Sequence, residues 1–316
     1  MVLVTGASGF VGNALVVRLA SKSPSVVVVA AVRQLNKRWP NGVNPIQVGD
    51  LLPNTDWSTA LRGVDSVIHC SARAHLMKDN ATDSLDAYRQ VNVLGTVNLA
   101  SQAAKAGVRR FIFVSSIKVN GEATQTGRPF MADDIPSPIG PYGVSKMEAE
   151  NGLRELCFRT GMELVIVRPV LVYGAGVKAN FANMMRWVQS GVPLPLGRIH
   201  NSRSFVALDN LVDLLINCLI HSSAVGQTFL VSDGEDVSTS ELLRRIAHAM
   251  GKTAFLLPLP ASWIELAATF LGKQELAQRL CGSLQVNIEK NQRLLGWRPS
   301  LTLDEGLKKA VGEMLH

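Results

Sequence analysis

Tyr142 and Lys146 lie four residues apart in the run Pro-Tyr-Gly-Val-Ser-Lys, and Ser115–Ser116 precede the tyrosine by 26–27 residues. Four residues make one helical turn, so both side chains leave the same helix face. A lysine ammonium beside a phenol favours the phenolate and lowers its pKa from about 10. The pair is therefore expected to let Tyr142 give or take a proton near neutral pH. A tyrosine and lysine at this spacing also arise by chance. The start of the chain gives the pair its weight.

The first twelve residues read Met-Val-Leu-Val-Thr-Gly-Ala-Ser-Gly-Phe-Val-Gly and run into an apolar-periodic stretch, Asn13–Ala20. This order predicts a short buried strand, a glycine turn and a helix. Gly6 permits the turn, Gly9 lets the backbone approach a pyrophosphate, and Gly12 lets the helix pack on the sheet. The free N–H groups at the helix start favour phosphate. The spacing is G-x-x-G-x-x-G, and an isolated triplet of this kind also occurs in ordinary turns. A second strand, Ser25–Val32, ends at Arg33. An acid near this point would bind a ribose 2′-hydroxyl, whereas an arginine suits a 2′-phosphate. No acid occurs between Pro24 and Gly49, while Arg33, Lys37 and Arg38 do. The cluster reads either as solvated loop charge or as a preference for NADP, and the reading leans to NADP over NAD.

These residues need a scaffold, and the pattern predicts one. Apolar runs at Val2–Val4, Val26–Val32, Ile46–Val48, Ser66–Cys70, Phe111–Ser115 and Leu164–Val167 alternate with helical segments. This is the βαβ rhythm of a doubly wound parallel sheet. The rhythm fails after Tyr173. A helix is expected over Asn180–Gln189, and strands at Arg203–Val206 and Thr228–Val231 are expected to return to the main sheet. The predicted architecture is an α/β Rossmann-type dinucleotide-binding part, 1–172 and 204–232, with a smaller mixed substrate lobe, 173–203 and 233–316. Gly6–Gly12, Ser115–Ser116 and Arg168–Tyr173 all follow predicted strands, so they should meet at one rim of the sheet.

Composition bounds the alternatives. The 316 residues are 47% hydrophobic and 18% charged, which indicates a sizeable core and argues against disorder. A formal charge of +7 suits anionic ligands, but the 32 Lys and Arg are dispersed, which argues against nucleic acid. Cys70, Cys157, Cys218 and Cys281 show no metal or disulfide spacing and read as thiols of a reducing, cytoplasmic compartment. No leader peptide, membrane span or metal site is expected. The most apolar stretch, Ala254–Leu271, is interrupted by Pro258, Pro260 and Glu265. It reads as a loop followed by an amphipathic packing helix, with docking on a membrane enzyme as the alternative.

Taken together, the motifs resemble the extended short-chain dehydrogenase/reductases that act on nucleotide sugars. The resemblance rests on Thr5–Gly12, Val48–Leu51, His69–Ala72, Val91–Val93, Phe113–Ser116, Pro141–Lys146, Arg168–Gly174 and Gly296–Pro299. It implies that Tyr142 is the acid/base, that Lys146 holds the nicotinamide ribose and tunes Tyr142, and that Ser116 hydrogen-bonds the reacting oxygen. It implies cofactor contacts for Gly6, Ser8, Gly9, Phe10, Val11, Gly12, Arg33, Asp50, Leu51, Ala72, Asn92 and Pro169. Asp50 and Leu51 would border the adenine, and Asn92 would order the site. Asn180 and Arg203 match residues that contact the nucleotide-sugar diphosphate. The resemblance also implies a homodimer through helices near Tyr142.

Departures from the pattern narrow the chemistry. Sugar dehydratases of this kind carry Asp-Glu after the catalytic hydroxyl residue, and this chain carries Ile117-Lys118, so dehydration is not expected. Val119–Gly121 reads V-N-G where V-Y-G is usual, which would reshape the sugar pocket. Arg73 and His75 read as solvated loop residues or as sugar or phosphate contacts. The run Ser115–Glu122 and the run Arg203–Leu214 resemble a bacterial polysaccharide-locus subgroup that includes UDP-glucose 4-epimerases and 4-keto reductases. The expectation places first an NADPH-dependent reduction of a UDP-4-keto-6-deoxy-N-acetylhexosamine for surface polysaccharide (O-antigen, lipopolysaccharide) synthesis. A UDP-hexose 4-epimerase with tightly held NAD is the alternative. A non-catalytic NADP-binding sensor is the distant one, because such proteins lose the Tyr or Lys that this chain keeps.

Overall fold

The structure is a computed structural model that describes residues 1–22, 26–73, 81–177 and 179–315. The first half runs β1 (Val2–Thr5), α1 (Phe10–Lys22), β2 (Val28–Val32), β3 (Val43–Gln47), β4 (Ser66–His69) and α2 (Ala81–Tyr88). A π-helical turn, Arg89–Gly95, joins α2 to α3 (Thr96–Lys105), followed by β5 (Arg110–Val114), α4 (Pro141–Thr160), β6 (Glu163–Pro169) and β7 (Leu171–Tyr173). The second half holds α5 (Ala179–Ser190), β8 (Arg203–Ala207), α6 (Leu208–Ile220), β9 (Thr228–Val231), β10 (Asp236–Val237) and α7 (Thr239–Ala249). It ends in α8 (Ala261–Phe270), α9 (Gln274–Cys281), α10 (Glu289–Leu295) and α11 (Leu303–Leu315).

Seven strands form one sheet in the order β3-β2-β1-β4-β5-β6-β9, every pair parallel. Strand order reverses between β1 and β4, which opens a crevice at their carboxyl ends. Parallel strands buried on both faces must be apolar throughout, and alternate residues divide between two cores. Val2, Val4, Ile68, Ile112 and Val165 face α1 and α6, whereas Leu3, Val67, Phe111 and Ile166 face α3 and α4. A third core, around Tyr173, Phe181, Phe205, Leu243 and Leu307, lies under the smaller lobe.

One expectation is corrected here. The Arg203–Val206 run does not return to the main sheet. As β8 it pairs with β7 and β10 in a separate three-stranded sheet, and β9 alone takes the outer place beside β6. The Ala254–Leu271 stretch is, as expected, a loop followed by an amphipathic helix: α8 packs Ala261 and Ile264 against the third core and leaves its other face exposed. Of its ten residues only Ala268 is buried. The main-sheet strands fall within a few residues of their expected positions, and the expected helix over Asn180–Gln189 is α5.

Candidate functional site

The glycine turn is built as a cradle. Gly6 follows β1 at φ +62°, and a Cβ there would lie 2.9 Å from the Ser71 nitrogen. The Gly9 N–H donates to the Gly6 carbonyl at 2.8 Å. A Cβ on Gly12 would stand 2.2 Å from that same oxygen, and one on Gly9 would stand 3.1 Å away. The loop therefore tolerates no side chain where a pyrophosphate would approach, and α1 begins immediately after it. Phe10 and Val11 are half-buried at the start of α1, and Ser8 stays exposed. These residues fit a dinucleotide.

The adenosine end is less constrained. Arg33 leaves the end of β2 exposed and meets Asp50 at 3.6 Å across the rim. Lys37 donates to the Asn13 carboxamide and lies 5.1 Å from the Trp39 ring centroid, and Arg38 is exposed. Leu51 packs so close to the π-helical turn that a Cβ on Gly95 would meet it at 2.9 Å. On the other side of the crevice Ala72 is exposed, and Pro169, the last residue of β6, is buried.

The reacting end is assembled from β5 and α4. Pro141 at the first turn sets the start of α4, its fixed φ suiting a position whose N–H has no helical partner. Tyr142 and Lys146 follow one turn apart. Ser116, just beyond β5, caps a short 3-10 turn over Ile117–Val119 and lies near enough to the Tyr142 phenol to lower its pKa. Lys146 is 2% exposed. Its Nζ donates to the Val114 carbonyl at 2.8 Å and lies 4.4 Å from the centre of the Phe113 ring.

The electrostatics correct the expected tuning. Burial pushes the Tyr142 phenol up to about 12; the nearby Ser116 side chain pulls it down, and Tyr88 adds to the rise. The Tyr88 ring stands edge-on at 6.1 Å. The Lys146 ammonium is directed to the Val114 carbonyl. Burial brings Lys146 itself down to about 8, against the opposing pull of Glu150 and Cys70. His69 is held neutral by burial, down to about 3, and bonds Thr5 at 2.6 Å and Thr96 at 2.9 Å.

Asn92 sits on the π-helical turn with its carboxamide fully used. It accepts from the Arg73 N–H at 2.8 Å and donates to the Arg73 carbonyl and to the Ser145 hydroxyl. It orders the loop after β4 against α4. Arg73 also stacks 5.9 Å from the Tyr88 ring, whereas His75 lies outside the described residues. Lys118 is paired with Glu122 at 2.7 Å, so the Ile117-Lys118 position is cationic and already partnered. Asn120 of the V-N-G run is buried, accepting from Arg168 and donating to the Met131 carbonyl.

Behind the site lies a buried ion pair that the sequence reading missed. Glu150 accepts from Arg168 through both carboxylate oxygens, at 2.9 and 2.6 Å, and from the Ser115 hydroxyl at 2.6 Å. The signal was present, because Glu150 stands one further turn beyond Lys146 on the same helix face. Tyr88 and Cys70 were also missed; burial pushes the Cys70 thiol up to about 12.

In the smaller lobe Arg203 donates to the Gly282 carbonyl at 2.9 Å. It makes no ion pair among the described residues, and burial, with Arg279 nearby, lowers its pKa. A shielded guanidinium facing a second cation is a place for an anion. Asn180 lies on α5, but its side chain is outside the described residues.

A parallel sheet with a glycine cradle at its switch point and a Ser–Tyr–Lys cluster on the adjoining rim defines an extended short-chain dehydrogenase/reductase. Residues 2–232 match the family model described as the NAD dependent epimerase/dehydratase family, and the chain belongs to that family. It is 48% identical over 316 residues to a UDP-glucose 4-epimerase of Vibrio cholerae, with 100% of this chain and 95% of the relative covered. MoeE5, solved with UDP-glucuronic acid and NAD, aligns at a TM-score of 0.77 and 25% identity over 99% of this chain and 98% of its own. The UDP-N-acetylglucosamine 4-epimerase of Bacillus cereus shares the fold at a TM-score of 0.81 and 19% identity, over 100% and 99% of the two chains.

Proposed function

We propose that this chain is a nucleotide-sugar 4-epimerase acting on a UDP-hexose with a retained NAD. The observation that carries the reading is Tyr142 and buried Lys146 one turn apart on α4, with Ser116 at the end of β5 beside them and the glycine cradle after β1. The full-length likeness to the Vibrio cholerae 4-epimerase supports the reaction. The sequence reading put single reduction of a 4-keto sugar first, and the relatives support its epimerase alternative better.

When bound in the cradle, the nicotinamide dinucleotide supplies the hydride acceptor and donor. The chain's own residues do the rest. Tyr142, as the phenolate formed once its own proton has passed to solvent, takes the proton from the sugar 4-hydroxyl as the C–H bond breaks, and Ser116 holds that oxygen. The resulting 4-keto carbonyl is then polarised by the same two groups. Once the ring presents its other face, hydride returns to carbon 4 and Tyr142 gives back its proton, now to the epimeric alcohol. Lys146, one turn away, supplies positive charge close to the phenol. Arg203 would hold the diphosphate. Assembly as a homodimer through α4, where Phe158 stands 92% exposed, belongs to the same proposal.

A second reading is favoured by one observation, the cationic run Arg33, Lys37 and Arg38 after β2. It suits a 2′-phosphate and hence NADPH, which exchanges between turnovers and serves a single reduction.

Tyr142→Phe provides the test. The variant should still carry dinucleotide through gel filtration, while UDP-hexose interconversion falls by about 100-fold or more. Turnover within a few-fold of the parent protein would exclude Tyr142 as the acid/base.

A further inference from the structure

Segment 252–273 carries the largest run of exposed apolar side chains on the smaller lobe. Phe255, Leu257, Trp263, Leu266, Phe270 and Leu271 are each at least 40% exposed, and Phe270 is 83% exposed. On α8, Trp263, Leu266 and Phe270 recur at i, i+3 and i+7, so they share one face. α8 packs mainly against α9, leaving a two-helix hairpin whose outer face is uncovered. Several such side chains grouped on one convex hairpin mark a surface that meets something.

The charges around this face select what it meets. Lys252 and Lys273 close the segment at its two ends. A backbone bridge between Arg198 and Pro260 brings a third cation to the start of α8. Among the described residues none of these three is paired with a carboxylate. Glu265 and Glu275 are the acids of the segment and its hairpin, and Glu275 is paired with Arg279 at 3.1 Å. A second copy packed through this face would bring a second set of the same cations to the interface. An anionic surface would pair them instead. Tryptophan and phenylalanine flanked by lysines, whose long stems let the ammonium reach outward, is the composition of a helix lying in a membrane interface.

We propose that the outer face of the α8–α9 hairpin seats the protein on an anionic lipid bilayer. The aromatic side chains enter the headgroup region, and Arg198, Lys252 and Lys273 contact lipid phosphates. The proposal is independent of which reaction the site performs.

The test is flotation of the full chain with vesicles of phosphatidylcholine alone or with added phosphatidylglycerol. The protein should float with the phosphatidylglycerol vesicles at low salt, and with pure phosphatidylcholine several-fold less. Trp263→Ser with Phe270→Ser should weaken flotation by about tenfold or more. Lys252→Glu with Lys273→Glu should do the same, each variant keeping the parental thermal melt. Parent protein that stays at the bottom of a phosphatidylglycerol gradient overturns the proposal whatever the variants do. So does flotation unchanged by both double substitutions. A dimer that Trp263→Ser with Phe270→Ser dissociates, without vesicle binding, would assign the face to a second copy.

Discussion

Tyr142 carries the chemistry, and its surroundings set the form in which it waits. Burial holds the phenol near 12, above its ordinary value, so the neutral form is favoured throughout the neutral range. In the protein without ligand, the difference in tyrosinate absorbance between the parent and Tyr142→Phe should therefore stay flat up to about pH 10 and rise only beyond it. A tyrosinate step near pH 7 would contradict this and restore a lysine-lowered phenol. The four-residue spacing was enough to place Tyr142 and Lys146 on one face. It carried no information about the Val114 carbonyl, 32 residues upstream, which takes the lysine's proton donor. The partners of Asn92, Arg73 and Ser145, lie on elements that only the fold brings together.

At the scale of elements, α4 and β6 are locked by Glu150 and Arg168, whose side chains are 2% and 3% exposed. A buried pair is costly to break, because the remaining charge has no water to turn to. Arg168→Met should destabilise the fold by about 3–5 kcal/mol in urea unfolding, with a lowered midpoint. A loss below about 1 kcal/mol would mean that water reaches the Glu150 carboxylate. The strands of the main sheet were readable because doubly buried parallel strands must be apolar runs. The sheet to which β8 belongs was not readable, since a five-residue strand with three apolar side chains says nothing about its neighbours. The amphipathic reading of α8 matches the fold: Ala261 and Ile264 turn to the third core, while Trp263, Leu266 and Phe270 stay exposed.

For the whole molecule, the parallel sheet gathers three loops at one rim, and a charge of +7 favours the approach of a nucleotide diphosphate. The cradle and the Ser–Tyr–Lys cluster were legible from residue types alone. Which way the hydride finally goes was not, because one oxidoreductase site serves both a single reduction and a double transfer. Incubating the protein with UDP-glucose deuterated at carbon 4, without added cofactor, separates these most directly. The account predicts a carbon-4 epimer that retains its deuterium, since the label leaves and returns within one site. No epimer, together with stoichiometric oxidation of NADPH on addition of a 4-keto nucleotide sugar, would contradict it.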